Sequence, residues 1–203
     1  MSTAAKFVTE IEPLVLHFQP ILKKLSDDEF YEFCLANDHW RIERTAEGDL
    51  IIMPPTGGKT GILNSELNAQ LVVWNKTKRQ GQVFDSSTIF KLPNGAQRSP
   101  DLAWVRNERW HALTDEQQEK FPPLCPDFVV ELRSRTDSLK RLRAKMQEYI
   151  DNGAQMGWLI DPVKKRVHVY RSNSAVEILD DSQTVSGEPL LQGFTLDASA
   201  LWS

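Results

Sequence analysis

Three residues of this chain have the types and spacing for phosphoryl chemistry. Asp101 closes Ser99-Pro100-Asp101, Glu131 lies within Val129-Val130-Glu131-Leu132-Arg133-Ser134, and Lys145 follows Glu131 by fourteen positions. Each carboxylate sits in a short apolar segment that reads as a strand, Asp-Leu-Ala-Trp-Val at 101–105 and Asp-Phe-Val-Val-Glu-Leu at 127–132. Mg2+ takes oxygen ligands and keeps several waters, so one or two carboxylates plus a substrate phosphate suffice to hold it. The cation then lowers the pKa of a water and neutralises the leaving oxygen. An ammonium beside it orients that water or stabilises the pentavalent phosphate. Taken singly, an Asp after Pro is a common turn residue and a Glu ending a strand is a common surface ion pair. Together the set is more specific, because Val-Val-Glu-Leu is an unfavourable place for a carboxylate without a partner. The expected chemistry is cleavage of a phosphodiester dependent on Mg2+ or Mn2+.

The elements that must position this set read as follows. Residues 10–37 suggest one or two helices, with Leu14, Leu16, Phe18, Ile21, Leu22 and Leu25 apolar and Ser26-Asp27-Asp28-Glu29 forming a capping box for the second. Residues 41–53 read as a hairpin turning at Glu47-Gly48-Asp49, and Pro54-Pro55-Thr56-Gly57-Gly58 breaks the chain. Leu63, Leu67, Leu71 and Trp74 predict a helix over 60–79, with Gly81 as its stop. Strands are expected at 82–92 and 101–105, joined by Pro93-Asn94-Gly95, and a capping box at Thr114-Asp115-Glu116-Gln117 opens a short helix over 114–120. A helix over 137–151 places Leu139, Leu142, Met146, Tyr149 and Ile150 on one arc, ended by Gly153. At about 100° per residue Lys145 lies roughly 40° outside that arc, at the rim of the buried face. From there its stem can lie along the sheet and its ammonium can reach the strand ends. Strands follow at 157–161 and 166–171, with a shorter one near 175–179. Helix, strands, helix and strands in this order imply a mixed α/β domain.

At 203 residues the chain fits one domain, and its 40% hydrophobic and 26% charged residues are ordinary globular values. A net charge of −4 argues against a broadly basic coat for nucleic acid, yet Lys and Arg cluster within 133–145 and 164–171. Cys34 and Cys125 belong to no paired pattern, and the N-terminus reads as no signal peptide, so a reduced, cytoplasmic protein is expected. No apolar run approaches the ~20 residues of a spanning helix, so no membrane role is expected.

Other constellations are weaker. Gly58-Lys59-Thr60 sits where a P-loop would, but Met53 occupies the position of the first glycine, and Pro54 and Pro55 remove amides that would cradle phosphate. His17, His39, His111 and His168 show no metal spacing, and no Gly-x-Ser-x-Gly elbow occurs. The six tryptophans read as core rather than as stacking platforms.

Ser-Pro-Asp at 99–101, Pro-Asp-Phe-Val-Val-Glu-Leu-Arg-Ser at 126–134, Lys-Met-Gln-Glu-Tyr-Ile-Asp-Asn-Gly-Ala at 145–154 and Gly-Trp-Leu-Ile-Asp-Pro at 157–162 resemble the Uma2 (Uma-two) family. These restriction-endonuclease-like proteins are abundant in cyanobacteria. The resemblance extends over almost the whole chain, including Pro-Pro-Thr-Gly-Gly at 54–58, Asn-Ser-Glu-Leu-Asn at 64–68 and Gly193-Phe194. It implies the PD-(D/E)XK nuclease fold: a mixed central sheet flanked by helices, with N-terminal helices and a β-hairpin. One domain over 1–203 is expected, with 1–58 as decoration, 59–172 as catalytic core and 173–203 as a C-terminal extension.

The resemblance further implies Asp101 and Glu131 as metal ligands and a nucleic-acid substrate, DNA in the first instance. The wider superfamily places its lysine two residues after the acid, where this chain has Arg133; the resemblance assigns the ammonium to Lys145 instead. Arg133 then reads as a phosphate clamp or a structural pair. Glu66 matches a position where related nucleases contribute another acid, the alternative being a solvated helical Glu. Glu43 reads as balancing Arg41 and Arg44, the alternative being a place in the same cleft. Arg135 stands where relatives often carry proline. Many such nucleases are dimers, so a homodimer is open. The competing class is a non-catalytic DNA-binding or interaction module that keeps the fold.

Overall fold

A computed structural model describes residues 13–17 and 24–202. In chain order its elements are β1 (Leu14–Leu16), α1 (Asp27–Ala36), β2 (Arg41–Arg44), β3 (Leu50–Met53), α2 (Gly58–Lys78), β4 (Gly81–Phe84), β5 (Phe90–Lys91), β6 (Gln97–Arg98) and β7 (Leu102–Arg106). The short helices α3 (Asn107–His111) and α4 (Asp115–Glu119) lead to β8 (Phe128–Leu132), α5 (Leu139–Asp151) and β9 (Met156–Asp161). The chain closes with β10 (Arg166–Arg171), β11 (Glu177–Asp180), β12 (Thr184–Ser186) and β13 (Thr195–Asp197). No described helix is long and apolar enough to cross a membrane.

A six-stranded sheet in the order β11-β10-β9-β8-β7-β4 forms the centre. Only β8 and β9 run parallel, joined by α5 in a βαβ crossover. Side chains alternate across it. Leu102, Trp104, Phe128, Val130 and Trp158 pack beneath α2 and the β12–β13 hairpin, with Leu67, Leu71, Trp74 and Phe194. Ala103, Val105, Val129 and Leu159 face the other way, against Leu142, Met146 and Tyr149 of α5. A second, antiparallel sheet in the order β1-β3-β2-β6-β5 carries the hairpin and its own small core of Phe30, Ile42 and Leu50 under α1.

Several local expectations are met by the chemistry that suggested them. Ser26 Oγ accepts from the Glu29 amide while Glu29 Oε2 accepts from Ser26 N, and Thr114 with Gln117 does the same for α4. Gly153, at φ +105, follows α5 as read.

Others differ. Leu14–Leu16 are not helical: they form an edge strand paired with Leu50–Ile52, so their apolar side chains belong to a sheet period. Phe18, Ile21 and Leu22 lie outside the described residues. The strand expected over 82–92 is two strands in different sheets. Asp85 interrupts it by accepting from the Ser87 amide at 2.9 Å and the Ser87 hydroxyl at 2.6 Å, an Asx turn that redirects the chain. Pro93-Asn94-Gly95 accordingly links β5 to β6 rather than to β7. The stop of α2 is Arg79, in the left-handed region at φ 54 with its amide on Asn75 O. Gly81 has another reason to be glycine: a Cβ there would collide with the Trp104 ring and the Val105 carbonyl.

Candidate active site

Strand register brings the two acids together. Leu102 pairs with Val130 in the antiparallel β7–β8 ladder, so one step further sets Asp101 opposite Glu131. Both share the face of Ala103 and Val129, which is the α5 face. Glu131 also ends a parallel strand at its carboxyl edge, where open α/β sheets gather ligands.

From α5, Lys145 reaches down as the helix phase requires. Its Nζ lies 2.8 Å from Glu131 Oε1, 2.8 Å from Glu43 Oε1 and 3.1 Å from Ser99 O. Tyr149, one turn on, donates its hydroxyl to Glu131 Oε1 at 3.2 Å. Asp101 is fixed from both sides: Oδ2 accepts from the Leu132 amide at 2.8 Å, and Oδ1 meets Arg41 Nη1 at 3.2 Å.

The hairpin supplies the rest. Alternation on β2 sends Ile42 and Arg44 towards α1, where the Arg44 guanidinium lies 4.9 Å from the centre of the Phe30 ring, and Arg41 and Glu43 to the other face. Glu43 is 2% exposed. Besides Lys145 it holds the Ser99 amide at 3.0 Å and Arg98 Nη1 at 3.3 Å, and Arg98 Nε meets Glu148 Oε2 at 2.6 Å. Glu43 therefore does not balance Arg44, which is taken by Asp27 and the carbonyls of Leu25 and Ser26. The pattern Arg41-Ile42-Glu43, two charges on one strand face, was the signal for it. Tyr149 left only the weaker signal of lying one helical turn beyond Lys145.

The buried charges of this site polarise one another. Burial drives the Glu131 carboxyl up to about 7; Lys145 opposes that, while Asp101 and Glu43 add to it. Burial works upward on Glu43 too, but Lys145, Arg98 and Arg41 outweigh it and hold Glu43 down to about 2. Burial would depress the Lys145 ammonium; Glu131 and Glu43 hold it above its ordinary value. Tyr149 is raised well above its ordinary value by burial and by the same two acids.

Asp101, Glu131, Lys145, Glu43 and Arg41 line a cleft of about 1010 Å³ that also takes in Pro54, Pro55, Lys59, Ile62, Arg135 and Val163. Arg133 lies on its wall, but its Nη1 bonds Asp161 Oδ2 at 2.7 Å and its Nε the Asp137 carbonyl at 3.1 Å. Glu66 is not among the lining residues; on α2 it accepts from Gln70 Nε2 at 3.0 Å.

Among the described residues no cluster of three or more His, Cys, Asp or Glu is arranged to hold a metal. The donor set is the pair Asp101 and Glu131, both hard oxygen ligands and enough for Mg2+ when waters and a phosphate complete its shell. The upward pressure on Glu131 from neighbouring acids is also what a divalent cation relieves. The residues fit such an ion.

Residues 27–199 match the family model of Uma2, described as "Putative restriction endonuclease". Among solved structures the fold resembles a crystal structure from Anabaena variabilis ATCC 29413, titled a putative nuclease belonging to DUF820. The TM-score is 0.73 at 24% identity, covering 88% of this chain and 97% of that one. This likeness shows that the two chains share a mixed α/β fold. No curated protein matches the sequence.

Proposed function

The chain belongs to the Uma2 family, and on that premise we propose that its cleft is the active site of a divalent-metal-dependent endonuclease acting on DNA. The observation that carries this reading is the opposed pair Asp101 and Glu131 with one ammonium, Lys145, shared between Glu131 and Glu43.

Asp101 and Glu131 would hold Mg2+ or Mn2+. Bound there, the ion supplies Lewis-acid stabilisation of charge on the phosphodiester oxygens. Arg41 and the Leu132 amide set the rotamer of Asp101, so its carboxylate is oriented before substrate arrives. Tyr149 does the same for Glu131. Lys145 remains an ammonium at neutral pH, because two acids stabilise its proton. It therefore acts by orienting Glu131 and through its positive charge beside the reacting phosphate, not as a general base. Glu43, anchored by Arg98 and the Ser99 amide, sets the direction of that ammonium.

Calorimetric titration with Mg2+ and Mn2+ tests the reading. The wild type is expected to bind, and Asp101→Ala to lose binding while keeping its fold. A wild type that binds neither ion would overturn the metal-dependent reading and leave a non-catalytic, DNA-binding module.

A further inference from the structure

The positive charges deep in the cleft are already spent. Arg41 pairs with Asp101, Arg98 with Glu43 and Glu148, Lys145 with Glu131 and Glu43, Arg133 with Asp161, and Arg141 with Asp137 at 3.6 Å. A polyanion entering gains little from cations that neighbouring carboxylates already neutralise. The protein as a whole, at −4, offers no general attraction either.

Two cations lining the cleft differ from the others. Lys59 stands on the first turn of α2 and Arg135 on the loop between β8 and α5; both are exposed. Neither has an ion pair or hydrogen bond among the described residues. Their stems are free to extend, and no described residue pairs with their charges.

We propose that Lys59 and Arg135 are the phosphate-backbone contacts of this cleft, gripping the nucleic-acid strand on either side of the phosphodiester presented to Asp101 and Glu131. The inference rests on the nucleic-acid reading of the site and adds to it how the substrate is held. Among the described residues the cleft lining contains no Phe, Tyr, Trp or His on which a base could stack. Grip is therefore electrostatic and directed at the backbone, so affinity depends on salt and is indifferent to base sequence.

Two contacts carry a definite signature. Each phosphate neutralised on duplex DNA contributes about −0.9 to the slope of log K against log salt, so the wild type has a slope near about −1.8. Binding then weakens about twelvefold between about 50 and 200 mM salt. Removing one contact brings this to about 3.5-fold.

The test is fluorescence anisotropy of the full chain with a labelled 20-base-pair duplex in buffer with EDTA, where binding is read apart from cleavage. Lys59→Gln and Arg135→Gln are each expected to reduce the slope by about 0.9, and the pair to bring it near zero. Lys76→Gln, exposed on the last turn of α2, serves as the control and leaves the slope unchanged. Both test positions are exposed and unpaired among the described residues, so the variants fold as the wild type does. A wild type that binds with a salt slope that neither variant moves would overturn this inference and leave the nuclease reading standing. A wild type that neither binds nor cleaves any nucleic acid would remove both.

Discussion

Replacing Glu131 by Gln is expected to stabilise the metal-free protein while ending its activity. The side chain keeps its shape, and its Oε1 can still accept from Tyr149 and Lys145; only the charge is lost. In the folded chain this carboxyl titrates at about 7 against an ordinary 4.5, chiefly because it is buried. A carboxyl raised on folding favours the protonated form, so its charge destabilises the fold increasingly as pH rises from 4.5 to 7 and by a constant amount above that. The difference of about 2.5 pH units corresponds to about 3 kcal/mol at pH 8. Glu131→Gln mimics the neutral acid and escapes the penalty. Urea unfolding in EDTA should therefore show the variant more stable than wild type by about 3 kcal/mol at pH 8 and by under about 1 kcal/mol at pH 5. Cleavage dependent on Mg2+ should be absent. A variant less stable than wild type at pH 8 would refute the reasoning, because Glu131 would then be an ordinary structural ion-pair partner of Lys145.

Lys145→Met should lower stability by about 3–5 kcal/mol at pH 8 in urea unfolding, since Glu131 and Glu43 lose the cation between them. In single-turnover assays it should also slow cleavage by roughly 100-fold or more. Glu43, held down to about 2, contributes stability that is complete above pH 4.5 and lost as pH falls towards 2; Glu43→Gln should lack that acid limb in a pH series of urea midpoints. Gly81→Ala should cost about 1–3 kcal/mol and lower Tm, because its methyl meets Trp104 and the Val105 backbone.

Much of the site was legible because its logic is local and periodic. Asp101 and Glu131 lie in apolar runs whose alternation already implied strands, and helix phase placed Lys145 at the edge of its buried arc. What escaped was pairing across the chain. Glu43 is separated from Lys145 by 102 residues, and nothing near Arg41-Ile42-Glu43-Arg44 says that its strand pairs with β6 and sets Glu43 against Lys145. The same blindness applied to Arg133, whose partner Asp161 lies on the neighbouring parallel strand. The division of 82–92 between two sheets was hidden because one aspartate, Asp85, decides it through hydrogen bonds to Ser87 rather than through hydrophobic pattern. Leu14–Leu16 read as helix because three apolar residues cannot distinguish a period of two from 3.6; the edge of β3 decided it.

Cleavage of plasmid DNA in the presence and absence of Mg2+ or Mn2+, by wild type and by Asp101→Ala side by side, tests the central claim most directly. The wild type is expected to nick or linearise the plasmid only with metal, and the variant to be inactive while its circular dichroism and urea midpoint report an intact fold. Metal-dependent cleavage that survives in purified Asp101→Ala would contradict that claim.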